Sequence, residues 1–291
     1  MTATILPFRE HVLGLGPDQH LVAIATEPRD PAGGGNRPAP VVLLNAGVLH
    51  RVGPHRLHVT LARALAATGR TALRVDLSGI GDSRPVPSNL PFRDSAVADT
   101  RVVLDHLVDP VGGRVILFGL CSGADNALAT AAVDTRVGAL VLIDPPAYAT
   151  PRSQLRKLAA NLSAQPGAAA AARWALALAR RQARAQLDRA RARLRPGTDA
   201  TDADSGGRQS PPLPAYRRQL TALVDRGVAI LCIYTGALGD RYNHAEQLFE
   251  WLPELRGRID VAYFPDANHM FTERAAQAEL VTTILRWLAA R

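Results

Sequence analysis

An apolar run, two glycines and a helical stretch meet within residues 115–124, which read VILFGLCSGA. Gly119-Leu120-Cys121-Ser122-Gly123 has the spacing Gly-x-nucleophile-x-Gly, which is typical of a turn that exposes a reactive side chain between a strand and a helix. The N-terminus of the following helix favours negative charge on a thiolate or an oxyanion. The pattern predicts Cys121 as a nucleophile; the alternative is a buried cysteine that packs as a small apolar residue.

Strand and helix signals alternate on both sides of this turn. Predicted strands cover 8–14, 20–26, 41–44, 71–75, 114–119, 139–143, 228–234 and 259–264, and predicted helices cover 54–68, 93–108, 122–133, 168–194, 243–251 and 273–290. The alternation predicts an α/β fold with a mostly parallel, eight-stranded sheet covered by helices on both faces. Open sheets of this kind place ligands beyond the carboxyl ends of their strands, which is where Cys121 would lie.

The alternation stops after Asp144-Pro145-Pro146 and resumes near residue 228. We predict a core formed by residues 1–147 and 215–291, with residues 148–214 as a helical, Arg-rich insertion that acts as a lid. Within the insertion, 168–194 is a helical run without Gly or Pro, and 196–214 is polar and rich in Gly and Pro. The lid is where substrate specificity is expected to lie.

The net charge of +8 is concentrated in this part of the chain. Residues 151–219 contain 13 Arg and one Lys against four Asp, a charge of +10, so the remainder carries −2. On a continuous helix one face would present Arg173, Arg180, Arg184, Arg191 and Arg195. Such a stripe is either a solvated face or a surface for an acidic partner, such as an anionic substrate or an acyl group linked to coenzyme A or a carrier.

Composition excludes several classes of protein. Apolar residues make up 47% and charged residues 21% of the 291 positions, which is typical of a globular domain. The two cysteines permit one disulfide and lack zinc-like spacing, so neither a disulfide scaffold nor a metal site is expected. The chain shows no signal peptide, bilayer-spanning stretch or nucleic-acid pattern, which predicts a cytoplasmic protein that binds neither membranes nor nucleic acids.

Two further residues follow predicted strands. His269 comes after the last strand in VAYFPDANHMF, and Asp240 follows the preceding strand in AILCIYTGALGD. A histidine there could serve as a general base for Cys121, and a carboxylate could orient the imidazole and stabilise its cation. The order nucleophile, acid, histidine is the one expected for this architecture. Asp144 is the alternative acid, although we interpret it first as the start of the lid.

Together these segments resemble the α/β-hydrolase superfamily over essentially the whole chain. The matching segments are LLNAG, RVDLSGIGDS, GLCSGA, GALGD and NHMF, each at the end of a predicted strand. HRVGPHRLHVTLARALA, with DLSGIGDS and GLCSGA, is similar to bacterial hydrolases associated with exosortase systems. The departure from the usual superfamily pattern is cysteine in place of serine, as in dienelactone hydrolases and polyhydroxyalkanoate synthases, which this chain resembles in that respect.

The resemblance implies a Cys121-His269-Asp240 triad and no cofactor. The backbone N–H of Ser122 would be one oxyanion donor, and the second would come from Gly47 or the adjacent Val48. A thioester intermediate suits a hydrolase of esters, thioesters or lactones. It equally suits an acyltransferase that passes the acyl group to an acceptor other than water. A third possibility is a binding protein that keeps the fold without turnover.

Several polar residues have two interpretations. His50 and Arg51 follow the predicted oxyanion loop and could bind a polar group of the substrate, or be solvated or contact the lid. Asp76 and Asp82 are expected to hold their turn through side-chain to backbone bonds. Three other residues are expected to be packed or at the surface: His55 and His58, spaced as a possible metal pair on one helix, and Cys232 in the middle of a strand. The sequence does not predict the oligomeric state.

Overall fold

The computed structural model describes residues 6–29, 38–87, 89–107, 113–193, 210–239 and 241–291. In these residues, strands form one sheet in the order β1-β2-β4-β3-β5-β6-β7-β8. β1 and β2 pair antiparallel, β2 pairs antiparallel with β4, and the remaining neighbours are parallel. The strands are β1 (Phe8–Leu15), β2 (Leu21–Pro28), β3 (Val41–Leu43), β4 (Ala72–Asp76), β5 (Val115–Leu120), β6 (Val137–Ile143), β7 (Ala229–Thr235) and β8 (Asp260–Phe264).

Helices cover both faces of the sheet. They are α1 (Leu57–Ala67), α2 (Phe92–Leu107), α3 (Ser122–Val133), α4 (Pro151–Ser163), α5 (Ala168–Arg193), α6 (Leu213–Asp225), α7 (Leu248–Trp251) and α8 (Arg274–Ala289). Successive strand residues point to opposite faces, so Val41 and Val42 of β3 enter different apolar clusters. One cluster packs against α2, α3 and α6, and the other packs against α1 and α8. The predicted fold class is confirmed.

The predicted strands match the observed ones to within about two residues, and the strands β3 to β7 are apolar runs buried on both faces. Two helices, α4 and α6, were not predicted, and the predicted helix at 243–251 is reduced to the four residues of α7. α4 begins with a capping box: Thr150 Oγ1 accepts the Ser153 N–H, and the Thr150 N–H donates to Ser153 Oγ. Thr150 followed by Pro151 was therefore a readable start signal.

The part of the chain predicted as a lid contains α4, α5 and the start of α6 among its described residues. Its function as a lid stays a prediction. Residues 194–209, which include most of the Gly/Pro-rich stretch, lie outside the described residues. None of the helices described is both long and apolar enough to cross a membrane.

Candidate active site

Cys121 occupies a strained turn between β5 and α3. Its backbone angles, φ 59° and ψ −122°, lie in a region that side-chain-bearing residues rarely adopt, and they lift the thiol out of the line of the strand. The Cys121 N–H donates to Ile143 O at 3.0 Å and its carbonyl accepts the Ala124 N–H at 3.0 Å, so both sides of the residue are fixed. The thiol is free of any disulfide and half-buried.

Gly119 and Gly123 are required by this turn. A Cβ at Gly119 would lie 2.1 Å from the Gly123 carbonyl oxygen, and a Cβ at Gly123 would lie 2.6 Å from the Asn45 carbonyl oxygen. Any side chain at either position would push α3 away from β5 or away from the loop after β3. The close packing predicted from the glycine spacing is therefore present.

His269 lies in the loop after β8, and its neighbours hold that loop in place. Asn268 Oδ1 accepts the N–H groups of Met270 at 3.1 Å and Thr272 at 3.2 Å, which closes a tight turn around the histidine. Phe271 is fully buried and packs edge-on against Phe264 with ring centroids 5.6 Å apart. The imidazole is thus presented from an anchored loop at the carboxyl edge of the sheet.

The imidazole lies between Asp144 and Cys121. Nδ1 lies 2.6 Å from Asp144 Oδ2, and the Cys121 side chain interacts with the ring closely enough to raise the pKa of the imidazole. Because Asp144 engages Nδ1, Nε2 is the nitrogen left for the sulfur. A thiol, an imidazole and a carboxylate, contributed by the ends of β5, β8 and β6, therefore form one continuous chain.

Asp144 is rigidly placed. It is fully buried directly after β6, and its two oxygens accept the Thr235 N–H at 2.8 Å and the Thr235 hydroxyl at 2.7 Å. The Asp144 N–H in turn donates to Ile233 O at 2.8 Å. The end of β7 thus clamps a carboxylate that belongs to β6. Sequence reasoning missed Thr235, and only the register of β6 and β7 reveals its role.

The pairing of His269 differs from the predicted one. The carboxylate bonded to its ring is Asp144, which the sequence analysis ranked as the alternative acid. Asp240, the preferred acid, lies outside the described residues, so its predicted role is not tested. The signal that favoured Asp144 was already in the sequence, as an acid placed immediately after the buried run ALVLI.

The site stabilises positive charge on the imidazole. The hydrogen bond that the imidazole donates to Asp144 and the interaction with Cys121 raise the pKa of His269 to about 9, and partial burial opposes this shift. An imidazolium between a carboxylate and a sulfur favours the thiolate form of that sulfur, because opposite charges at contact distance stabilise each other. Thiolate is the reactive form of cysteine.

The predicted oxyanion donors lie together. Ser122 is the first residue of α3, so its backbone N–H has no partner within the helix. The Gly47 N–H points at the same residue and donates to Ser122 Oγ at 2.8 Å. Val48, the alternative donor, belongs to the same loop, and its side chain is 84% exposed.

His50 and Arg51 lie in a charged cluster behind this loop. The Arg51 guanidinium bonds Asp76 and also Asp82, the latter at 2.7 Å, and His50 Nε2 lies 3.4 Å from Asp82. Buried Asp76 also accepts the backbone N–H groups of Arg51 at 2.6 Å and Asp82 at 3.1 Å, as expected for a residue that holds the turn. Although His50, Asp76 and Asp82 could approach a metal ion, Arg51 already supplies a cation there. The predicted contact of His50 and Arg51 with substrate is not tested.

The remaining described residues singled out in the sequence are either packed in the core or exposed at the surface. His58 is buried edge-on against Phe118 with ring centroids 5.5 Å apart, whereas His55 precedes α1 at the surface, so the two do not form a metal pair. Cys232 is fully buried in β7, and burial raises its pKa to about 12. Arg173, Arg180 and Arg184 of the stripe are exposed on α5, the side chain of Arg191 is not described, and Arg195 lies outside the described residues.

Comparisons with known proteins agree with this architecture. A structure of an alpha-beta serine hydrolase homologue from Coxiella burnetii is 15% identical and has a TM-score of 0.54, with 98% of this chain and 99% of that chain covered. A protein from Klebsiella pneumoniae, provisionally named a dienelactone hydrolase, is 15% identical with a TM-score of 0.53 and coverage of 98% and 99%. The epoxide hydrolase VrEH1 from Vigna radiata is 16% identical with a TM-score of 0.51 and coverage of 99% and 100%.

These structures share the fold at low sequence identity. A search of curated proteins found no match. The model of the Abhydrolase_6 family, described as alpha/beta hydrolase family, matches residues 41–282, which include the elbow, the oxyanion loop and the histidine loop. On this match over most of its length, the chain belongs to the alpha/beta hydrolase family.

Proposed function

We propose that this protein cleaves carboxylic ester, thioester or lactone bonds through a thioester formed on Cys121. The observation that supports this most strongly is the His269 ring, which is hydrogen-bonded to buried Asp144 and interacts with the Cys121 side chain. Asp144 takes the acid's role in this proposal. A histidine on a nucleophile and a carboxylate on the histidine is the arrangement used for acyl transfer on several unrelated folds.

The reaction has two halves. The thiolate of Cys121 attacks the carbonyl carbon and forms a C–S bond, while the carbonyl oxygen becomes an oxyanion that accepts the N–H of Ser122 and that of Gly47. The bond to the leaving group then breaks, and His269 gives its proton to the departing oxygen or sulfur. Water attacks the thioester, His269 removes its proton, and the C–S bond breaks to release a carboxylic acid and regenerate the thiolate.

The hydrogen bond from the Gly47 N–H to Ser122 Oγ affects how the oxyanion would bind in the first half of the reaction. In the structure its N–H is bound to the Ser122 hydroxyl at 2.8 Å, in the place where a carbonyl oxygen would bind. A bound substrate would displace this hydroxyl by rotation of one side-chain torsion. The backbone N–H of Ser122 does not depend on that rotation.

Acyl transfer is the competing outcome, because amines and thiols also attack thioesters. The test is intact-protein mass spectrometry after reaction with p-nitrophenyl esters, lactones and acyl thioesters. We expect an acyl adduct on wild type that water clears within the assay and that is absent from Cys121→Ala. An adduct cleared only by an added amine or thiol would indicate a transferase. No adduct, with unchanged ligand binding in Cys121→Ala, would indicate a binding protein.

A second part of the proposal is that the acyl group is supplied by a donor linked to coenzyme A or to a carrier. Exposed Arg173, Arg180 and Arg184 on α5 offer positive charge to phosphate groups. Replacing the three by Gln should raise KM for an acyl-coenzyme A with little change in kcat. The matched substrate is the same acyl group on N-acetylcysteamine, which lacks phosphates. Equal KM values in wild type and variant for the coenzyme A thioester would leave the stripe as a solvated face.

A further inference from the structure

A cavity lies directly beside the turn that carries Cys121. It has a volume of about 400 Å³ and is enclosed by the start of α2, the first turns of α3, Pro146 and the segment that leads into α6. Ser122, Asp125 and Asn126 form one wall of it. Residues three and four positions after Ser122 lie on the same face of a helix, so all three point the same way. The apolar part of the lining consists of Phe92, Leu128, Pro146, Pro211 and Pro212, and the remaining polar part consists of Arg93, Ser210, Tyr216 and Gln219.

Asn126 is the unexplained residue of this wall. It is only 3% exposed, and in the described part of the chain its side-chain amide has no hydrogen-bond partner. By contrast, Gln219 on the other side of the cavity donates to Leu128 O at 3.1 Å. The amide atoms of Asn126 are not among the polar side-chain atoms that are fully sealed from solvent, so they are accessible from the cavity and can hydrogen-bond a ligand there.

The chemistry of the wall defines the ligand. An asparagine amide offers two donors and one acceptor in a single plane, which matches the N–H and C=O of another amide. Asp125 and Arg93 also line the cavity, so the lining carries one acidic and one basic side chain. The apolar remainder suits a short alkyl linker. Asn126 lies one helical turn, about 5.4 Å along the axis, from the Ser122 N–H that would hold the substrate carbonyl oxygen.

We infer that this cavity binds the acyl group of the substrate, and that Asn126 recognises an amide several bonds from the carbonyl carbon. The inference rests on the proposed function, because it places the reacting carbonyl at Cys121 and Ser122. It adds a specificity-determining residue and a substrate class, amide-bearing acyl esters or thioesters. In this arrangement the backbone N–H of Ser122 would bind the reacting oxygen, and the side chain of Asn126, one turn along the same face of α3, would bind the distal amide.

The experiment compares two esters of equal length, p-nitrophenyl 4-acetamidobutanoate and p-nitrophenyl heptanoate. We expect wild type to prefer the amide ester in kcat/KM, and Asn126→Leu to lower the ratio of the two values by about tenfold or more. The matched control is Thr130→Val, which removes another buried polar group of α3, outside the cavity, and should leave the ratio unchanged. Asn126→Ser replaces Asn126→Leu if the latter does not fold. No preference in wild type, or an equal loss on both esters, overturns the inference.

A binding measurement separates this inference from the proposed reaction. Calorimetry with Cys121→Ala should show tighter binding of methyl 4-acetamidobutanoate than of methyl heptanoate, and the advantage should vanish when Asn126→Leu is added. Loss of that advantage with an intact adduct on Cys121 would overturn the role of Asn126 alone. An intact binding advantage with no adduct on Cys121 would overturn the proposed reaction alone.

Discussion

Asp144, at the end of β6, lies 2.6 Å from Nδ1 of His269, although 125 residues separate the two in the chain. The pairing joins the ends of β6 and β8 across β7, the strand between them, and Thr235 of β7 holds the carboxylate with its N–H and hydroxyl. The imidazole is therefore oriented by a residue that is itself bound by backbone, and its geometry does not depend on a flexible acid.

Asp144→Asn should remove the acid that orients the ring. We expect kcat/KM for a p-nitrophenyl ester to fall by about 10³-fold or more, because the asparagine cannot stabilise the imidazolium. Asp240→Asn, made in parallel, should change the same value by less than about threefold. Circular dichroism checks that both variants are folded. A larger loss in Asp240→Asn than in Asp144→Asn would restore the acid first predicted from the sequence.

Ser122→Ala separates the two possible nucleophiles of the elbow. The variant keeps the backbone N–H and releases the Gly47 N–H from the serine hydroxyl, so we expect activity within about tenfold of wild type. Peptide mapping after reaction with an acyl ester should find the acyl group on Cys121 in both proteins. An acyl group on Ser122, or its loss in Ser122→Ala but not in Cys121→Ala, would contradict the assignment.

The raised pKa of His269 should make stability depend on pH. The pKa is about 9 in the folded protein, through Asp144 and Cys121, against about 6.5 in the unfolded chain. Protonation of the folded state therefore contributes stability that is complete below about pH 6.5 and is lost as the pH rises through about 9. The ring is 33% exposed, so we expect about 1–2 kcal/mol, measured as the difference in urea unfolding between wild type and His269→Gln across that range. If the unfolding free energies of wild type and His269→Gln changed with pH in the same way, this contribution of His269 would be contradicted.

His58 should have the opposite effect. Full burial and the nearby Arg74 charge lower the pKa of His58 to about 4. Between this value and about 6.5, the unfolded chain therefore binds a proton at His58 and the folded protein does not. Stability is complete above about pH 6.5 and falls as the pH drops towards 4, by up to about 3 kcal/mol. His58→Leu should flatten this part of the unfolding profile, whereas His106→Gln, at the surface of α2, should leave it as in wild type. An acid slope that survives in His58→Leu would assign it to other groups.

The cluster behind the oxyanion loop predicts unequal costs for its two carboxylates. Asp76→Ala removes the fully buried partner of Arg51 and should lower the free energy of unfolding by about 3–5 kcal/mol. Asp82→Ala should cost far less, because that carboxylate is 61% exposed. Chemical denaturation measures both. Because Asp76 also accepts the Asn45 side-chain amide at 3.0 Å, its loss should raise KM for esters through the oxyanion loop. An equal loss of unfolding free energy in Asp76→Ala and Asp82→Ala would mean that the buried Arg51–Asp76 pair does not stabilise the fold more than the exposed Arg51–Asp82 pair does.

Sequence reasoning predicted the sheet because its signal is local. The strands β3 to β7 are short apolar runs buried on both faces, and Gly119 and Gly123 mark the only spacing at which α3 can meet β5. Positions at strand ends therefore fixed Cys121, His269, Gly47 and Ser122 as neighbours before any coordinates. The same reasoning preferred Asp240 to Asp144, whereas the carboxylate observed on the ring is Asp144. Both residues follow strands that are adjacent in the sheet, so their positions in the sequence do not distinguish them.

Other features lay beyond local patterns. Thr235 acts through strand register, and Asn126 is defined by a cavity that three distant segments enclose. Neither property has a signature in neighbouring residues. α4 was missed for another reason. Its capping box is a local signal, but the helices were predicted from the periodicity of apolar residues, which does not detect caps.

The clamp of Thr235 on Asp144 has a consequence for how this scaffold can be changed. In the proposed reaction the acid is Asp144, which is held between β6 and β7, so the chemistry would not require a residue from the turn beyond β7. That turn becomes a site where residues can be inserted, deleted or grafted while the proton relay stays intact, which makes it the natural place to attach a new recognition element beside the reaction centre.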